Sequence, residues 1–342
     1  MKHLSFSACS LLPVMTEVII NSFLSTIPVF VFFAVGFWLR HKKAIEPQHD
    51  AVITRLAMDV GYPCLIFYNI MKYMVTDADE RITTIAFSGQ AIACAFLEMT
   101  IGVLVAWLVA RALRLRIGTG LRTFTLTAGV QNYAFFVIPI VQMLFSTGND
   151  PSMGVLFIHN MGCELFVWSV GVILMCGGLG NLGFATLFRG PLLAVCFSLL
   201  LAWTGLGEYI AVAPVMKTTE MLGSIATPIC LIIFGCSMYD LSRNFTWQPR
   251  MLAAGLVARL VVSPALILLV AWALPVDPLI KRIMVIQSAI PSAVIPVIIA
   301  KRFGGQPEVG TQILLSTTVC SFLTLPIWLA VGSTYVAPLM AK

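Results

Sequence analysis

Side-chain amides, hydroxyls and prolines come together twice in this chain, inside stretches otherwise made of Leu, Ile, Val, Phe and Ala. Gln131-Asn132 stand just ahead of Pro139, and Gln287-Ser288 lead into Pro291-Ser292 and Pro296. A proline inside a helix removes one backbone hydrogen bond and crowds the preceding turn. In an apolar surrounding the freed groups are costly unless protein or water meets them. A proline with amide and hydroxyl neighbours therefore reads as part of a polar cavity. Breaking a helix also bares backbone N–H groups at the start of the second half, where the helix dipole adds partial positive charge. Two such breaks meeting near a membrane midplane can cradle a carboxylate without any buried arginine. Asn132 can donate its amide hydrogens and fix the orientation. This chemistry is recognition, with no covalent step.

Ionisable residues within apolar stretches form the second group. They are Asp59, Glu98, Glu164 and Arg259, candidates for ion coupling because buried charge is expensive in a membrane. Glu98 and Arg259 fall on corresponding helices of two halves, which allows a charge-neutralising pair. Glu98 or Glu164 could alternatively titrate as a carrier turns over. His159 precedes Glu164 by five residues, so the two do not share a helical face. Asp59, one turn before Pro63, is placed to line the same cavity. Four histidines are too few and too scattered for a metal centre, and neither HExxH nor GxxxxGK[ST] occurs. The chain is read as a non-enzyme, without cofactor or metal.

The elements that must position these residues follow from composition. Of 342 residues, 59% are hydrophobic and 11% charged. A soluble domain carries about 25% charged residues. Mean hydropathy is +0.95. Lipid must be the main solvent, and apolar runs of about 20 residues select helices over barrel strands. Hydropathy places ten spans at 17–39, 51–74, 84–110, 121–145, 152–179, 189–207, 218–239, 250–274, 281–302 and 309–332. Eight of the nine cysteines lie in these runs and read as small apolar residues rather than a disulfide or metal framework. Residues 1–14 form a weak signal-like segment, and a start at Met15 would give a tidier first helix.

Lys and Arg number twelve in the odd loops against seven in the even loops and termini, where Asp77, Asp79, Glu80, Glu208, Glu220 and Asp277 dilute them further. The bias places the odd loops in the cytoplasm and both termini outside, against the opposing vote of Lys281 and Arg282. The net charge of +6 is thereby assigned to cytoplasmic loops of an inner-membrane protein, not to nucleic acid.

The chain also repeats. Val137-Ile138-Pro139-Ile140 matches Val294-Ile295-Pro296-Val297 at an offset of 157, which also carries Cys163 onto Cys320. Tyr62-Pro63-Cys64-Leu65-Ile66 stands beside Pro228-Ile229-Cys230-Leu231-Ile232. The matches keep one order, so residues 1–180 and 189–335 read as two five-helix repeats. Five is odd, so the repeats are inverted.

Asn132 with Pro139, the stretch Pro291-Ser292-Ala293-Val294-Ile295-Pro296, then Ala300 to Glu308, and Leu314-Leu315-Ser316-Thr317 with Leu323-Thr324-Leu325-Pro326 resemble the auxin efflux carrier family. That group includes bacterial malonate- and malate-type permeases and plant auxin exporters. The resemblance covers the chain from Met15. It implies a sodium–bile acid symporter-like fold, with spans one, two, six and seven as a scaffold, often dimeric. Spans three to five and eight to ten would form a mobile unit, spans four and nine crossing at their breaks. Transport would be elevator-like and the substrates carboxylates. Ala134 and Val137 replace glycines common in bacterial members, and Ile295 replaces an asparagine, while Pro296 resembles the plant carriers. Tyr133, Phe135 and Phe136 either favour an apolar monocarboxylate or face lipid. The expectation is a permease of small organic anions, mono- or dicarboxylates. The alternative is a sodium- or proton-coupled symporter of another solute, such as a bile-acid-like or amino-acid substrate.

Overall fold

The computed structural model describes residues 8–76, 84–145, 150–178, 190–243 and 248–339. The opening segment up to residue 7, the acids Asp77, Asp79 and Glu80, and Arg81 and Arg189 lie outside them. The described chain is all helix, and no strand is assigned among its residues.

Seven helices are long and apolar enough to cross a membrane. They are α1 (Ala8–His41), α2 (Pro47–Thr76), α3 (Ile85–Ala112), α6 (Ser152–Cys176), α8 (Ala213–Arg243), α9 (Pro249–Ala273) and α12 (Pro307–Tyr335). A shorter apolar helix, α7, covers Gly190–Thr204. The expected fourth and ninth spans are each two pieces: α4 (Leu121–Gly129) with α5 (Val137–Leu144), and α10 (Pro278–Ala289) with α11 (Ile295–Arg302). Side chains set two of the starts. Thr84 Oγ1 accepts from the Phe87 N–H ahead of α3, and Asp277 Oδ1 from the Leu279 N–H at α10.

Three long helices loosen internally into π-turns, at Leu56–Gly61 in α2, Val167–Gly171 in α6 and Ala258–Val262 in α9. In α2 and α9 a proline follows, Pro63 or Pro264, and the wider turn accommodates the hydrogen bond that proline cannot make.

The broadest contacts of α1 are with α8 and α12, those of α2 with α7 and α8, and those of α3 with α4 and α6. The α1–α8 contact is close because glycine allows it. A Cβ at Gly36 would overlap the Ile232 carbonyl, and one at Gly235 the Phe33 carbonyl. At one end of these helices buried Arg40 reaches Asp50 and, at 3.1 Å, Asp240, tying α1, α2 and α8 together. Arg282 and Lys281, which oppose the charge bias, are both engaged locally. Arg282 pairs with Asp150 at 2.8 Å and donates to the Pro338 carbonyl, while Lys281 donates to the Trp272 carbonyl.

Candidate functional site

The two interrupted helices meet at their gaps. Gln131 and Ser292 form an isolated antiparallel bridge. Asn132 N–H donates to the Pro291 carbonyl at 2.8 Å, and Ala293 N–H to the Val130 carbonyl at 2.9 Å. Each gap thus satisfies backbone groups of the other, the accounting that a buried irregular segment must meet. The prolines take distinct places. Pro139 and Pro296 sit in the first turns of α5 and α11, where an N–H has no helical partner anyway, so they start the second half-helices. Pro291 lies in the gap itself.

Side chains brace the crossing. Asn132 Oδ1 accepts from the Phe135 N–H at 3.1 Å. Asn160 on α6 donates to the Tyr133 carbonyl at 2.8 Å and accepts from Gln287 Nε2 at 2.7 Å, linking the first gap to the last turn of α10. Ser292 N–H donates to Thr317 Oγ1 on α12 at 3.3 Å. Ser288 Oγ turns back to the Val285 carbonyl of its own helix.

Arg259 is fully buried and projects from the π-turn of α9. Its guanidinium donates to the carbonyls of Ile290 at 2.9 Å, Ser288 at 3.1 Å, Gln287 at 3.4 Å and Gly129 at 3.5 Å. These oxygens belong to the C-terminal ends of α4 and α10, where carbonyls lack helical partners and the dipoles are negative. One fixed cation therefore serves two helix ends. The expected Glu98–Arg259 ion pair is not among the ion pairs of the described residues, because the guanidinium is committed to carbonyls. Glu98 instead receives Gln131 Nε2 at 3.4 Å and lies 3.6 Å from His159 Nε2. Gly102 and Gly129 permit this packing, since a Cβ at Gly102 would overlap the Gly129 carbonyl.

Several buried polar atoms here have no hydrogen-bond partner in the protein: Glu98 Oε1, Gln131 Oε1, Asn132 Nδ2, both His159 nitrogens, Gln287 Oε1 and Ser292 Oγ. Such a concentration is unusual for a packed interior, where buried polar atoms find partners.

A cavity of about 600 Å³ lies along α11, from Val294 to Phe303. Val294, Ile295 and Phe135 line it, together with Arg55, Asp59 and Glu164. Trp168 Nε1 holds Glu164 at 2.6 Å. Smaller cavities of about 140 Å³ and 40 Å³ share its walls and reach Phe234 on one side and Tyr133 and Asn160 on the other. The structure therefore sorts the expected residues into two layers. Asp59, Glu164 and Ile295 face the cavity. Gln131, Asn132, Gln287, Ser288 and Ser292 are buried behind it, with Pro139, Pro291 and Pro296. The aromatic residues beside Asn132 do not face lipid: Tyr133 and Phe136 are buried, and Phe135 packs against Tyr62 and Phe234. A larger apolar groove of about 820 Å³ between α1, α8, α9 and α12 contains none of the expected site residues.

The sequence reading missed Asn160, although an amide beside His159 in an apolar span was a signal. It also left Thr317 without a role.

A helical protein with several membrane-spanning segments and two gapped helices meeting at a buried polar junction has the build of a membrane transport protein. The sequence pattern of the family described as membrane transport protein matches residues 22–182 and 179–329. The chain belongs to this family, the auxin efflux carrier family, whose members are transporters and not enzymes. It is 22% identical over 309 residues to an uncharacterized transporter of Methanothermobacter thermautotrophicus, covering 89% of this chain and 96% of the relative. It is 25% identical over 124 residues to auxin efflux carrier component 1 of Arabidopsis thaliana, covering 33% of this chain and 20% of that protein.

Proposed function

We propose that the chain is a secondary carrier of small organic anions, mono- or dicarboxylates, working by elevator-type alternating access in the cell membrane. Seven long helices, α7 and the two gapped pairs amount to ten spans, read as two inverted repeats. In this reading α1, α2, α7 and α8 form the scaffold, with a homodimer interface. Helices α3–α6 and α9–α12 move.

The observation that carries the reading is the junction of the gaps. Two half-helix N-termini, α5 and α11, start beside it, and Asn132 Nδ2 is a buried donor without a protein partner. Backbone N–H groups and an amide suit a carboxylate head. The cavity wall of Phe135, Ile295 and Trp168 suits an apolar body, and the lining arginines Arg55 and Arg302 are balanced there by Asp59 and Glu164. The first gap holds the head and the second shapes the pocket for the rest. Arg259 fills the carbonyl cluster that a sodium ion would otherwise find at the crossing, which weighs against the sodium-coupled alternative. The positive-inside bias puts both termini outside and the Arg302 end in the cytoplasm.

The test is uptake by the purified protein in liposomes of labelled malonate, succinate, benzoate and indole-3-acetate. Saturable uptake of at least one, unchanged when choline replaces sodium, is expected. No saturable uptake of any would sink the reading.

A further inference from the structure

The ion pairs at the ends of the helices differ from the acid at the centre. Arg40 holds two carboxylates, and Arg282 meets Asp150 at 2.8 Å with Ser152 as a second partner. Glu98, fully buried, has one amide at 3.4 Å and an imidazole at 3.6 Å, and its Oε1 has no protein partner. Neither nitrogen of fully buried His159 has a hydrogen-bond partner. A structural charge at this depth would be fully bonded, because an unmet carboxylate is costly. A loosely held acid beside an imidazole suits a group that gains and loses a proton.

The surroundings give that proton an effect. The charged and titratable groups around Glu98 are His159 and Cys163 on α6, Arg259 on α9 and Cys94 on α3 itself. Helices α4 and α10 carry theirs at the outer ends, in Arg122, Lys281 and Arg282. Glu98 bonds Gln131, whose neighbour is Asn132 and whose backbone bridges to Ser292. Ionised Glu98 balances the fixed charge of Arg259. Protonated Glu98 leaves that charge unbalanced beside the junction, where it attracts an anion.

We propose that Glu98, partnered by His159, binds a proton that travels with the anion. This rests on the carrier reading above and assigns its coupling ion. The proton enters from water on one side, bonds to Oε1, and returns to water on the other. Transport of a monocarboxylate is then electroneutral.

Two measurements test it. Infrared difference spectra of the purified protein between acidic and alkaline buffers should show the carbonyl stretch of a protonated carboxyl. The part of that band due to Glu98 should be missing in Glu98→Gln and displaced along the pH axis in Glu98→Asp. A spectrum of Glu98→Gln identical to wild type overturns proton binding, whatever the substrate. In liposomes, an inward proton gradient of one pH unit should speed the early accumulation of benzoate above that of protein-free vesicles, through which neutral benzoic acid also passes, in wild type and not in folded Glu98→Gln. Equal accumulation by both overturns the coupling role. Wild type that moves no member of the carboxylate panel counts against the carrier reading and against coupling with it. The infrared result still decides proton binding.

Discussion

Asn132 allows its two ends to be tested separately. Its Oδ1 accepts from the Phe135 N–H at 3.1 Å, so Nδ2 is the free end, and it has no protein partner. Asn132→Ala removes both. Loss of the cap costs about 1 kcal/mol of stability. Loss of a donor to a carboxylate costs about 1.5–3 kcal/mol of binding, or roughly 10- to 150-fold in affinity. Asn132→Asp keeps an oxygen for Phe135 but puts a second oxygen where the donor stood. A buried carboxylate with one donor is costly, so it should melt below wild type, and it should bind and move carboxylates at least as poorly as the alanine variant, since an acceptor now faces an anion. Thermal melts and liposome uptake of the same preparations supply both numbers. Asn132→Asp with undiminished carboxylate uptake would refute the assignment of Nδ2 to the substrate.

Other outcomes follow from the same contacts. Arg259→Met should lower stability by about 3–5 kcal/mol, because it strips a buried charge from four carbonyls and leaves Glu98 unbalanced. Arg259→Lys should recover part of this, lacking the fork; a melt of the Met variant equal to wild type would disprove the account. Gly102→Ala should cost about 1–3 kcal/mol through overlap with the Gly129 carbonyl, whereas Gly89→Ala, with open space around it, should be neutral or stabilising by up to about 1 kcal/mol; the two melting temperatures decide. A C-terminal alkaline phosphatase fusion should be active and a fluorescent-protein fusion dark in a bacterial host. The opposite pattern would reverse the orientation.

The sequence was most informative where hydropathy alone sufficed. The expected 84–110, 152–179 and 309–332 lie within a few residues of α3, α6 and α12. Pro139 and Pro296 announced two broken helices, but not where the gaps lie. The first gap is upstream of Pro139, because that proline begins a half-helix instead of interrupting one. Side-chain partners between helices were harder to read. In helices apolar on all sides, periodicity does not say which residue faces which neighbour. His159 and Glu164 do part company as their spacing suggested, one toward Glu98 and the other toward Trp168 and the cavity. Arg259 looked like a partner for Glu98 because charge seeks charge. The carbonyl ends that claim it are backbone groups, which a list of side chains does not display.

The contact between Gln131 and Ser292 is a sheet of the smallest size, one bridge long, at the heart of an all-helical molecule. A sheet in hydrocarbon cannot leave an edge unpaired. Here Arg259, Asn160 and Thr317 finish what neighbouring strands would do elsewhere. Parting the two gaps would orphan the backbone groups of Asn132, Pro291, Ala293 and Val130 together, without water to replace them. The junction is therefore the place where the molecule can least afford to open. The wall between Phe135 and Phe234, by contrast, would lose only apolar contact if it parted.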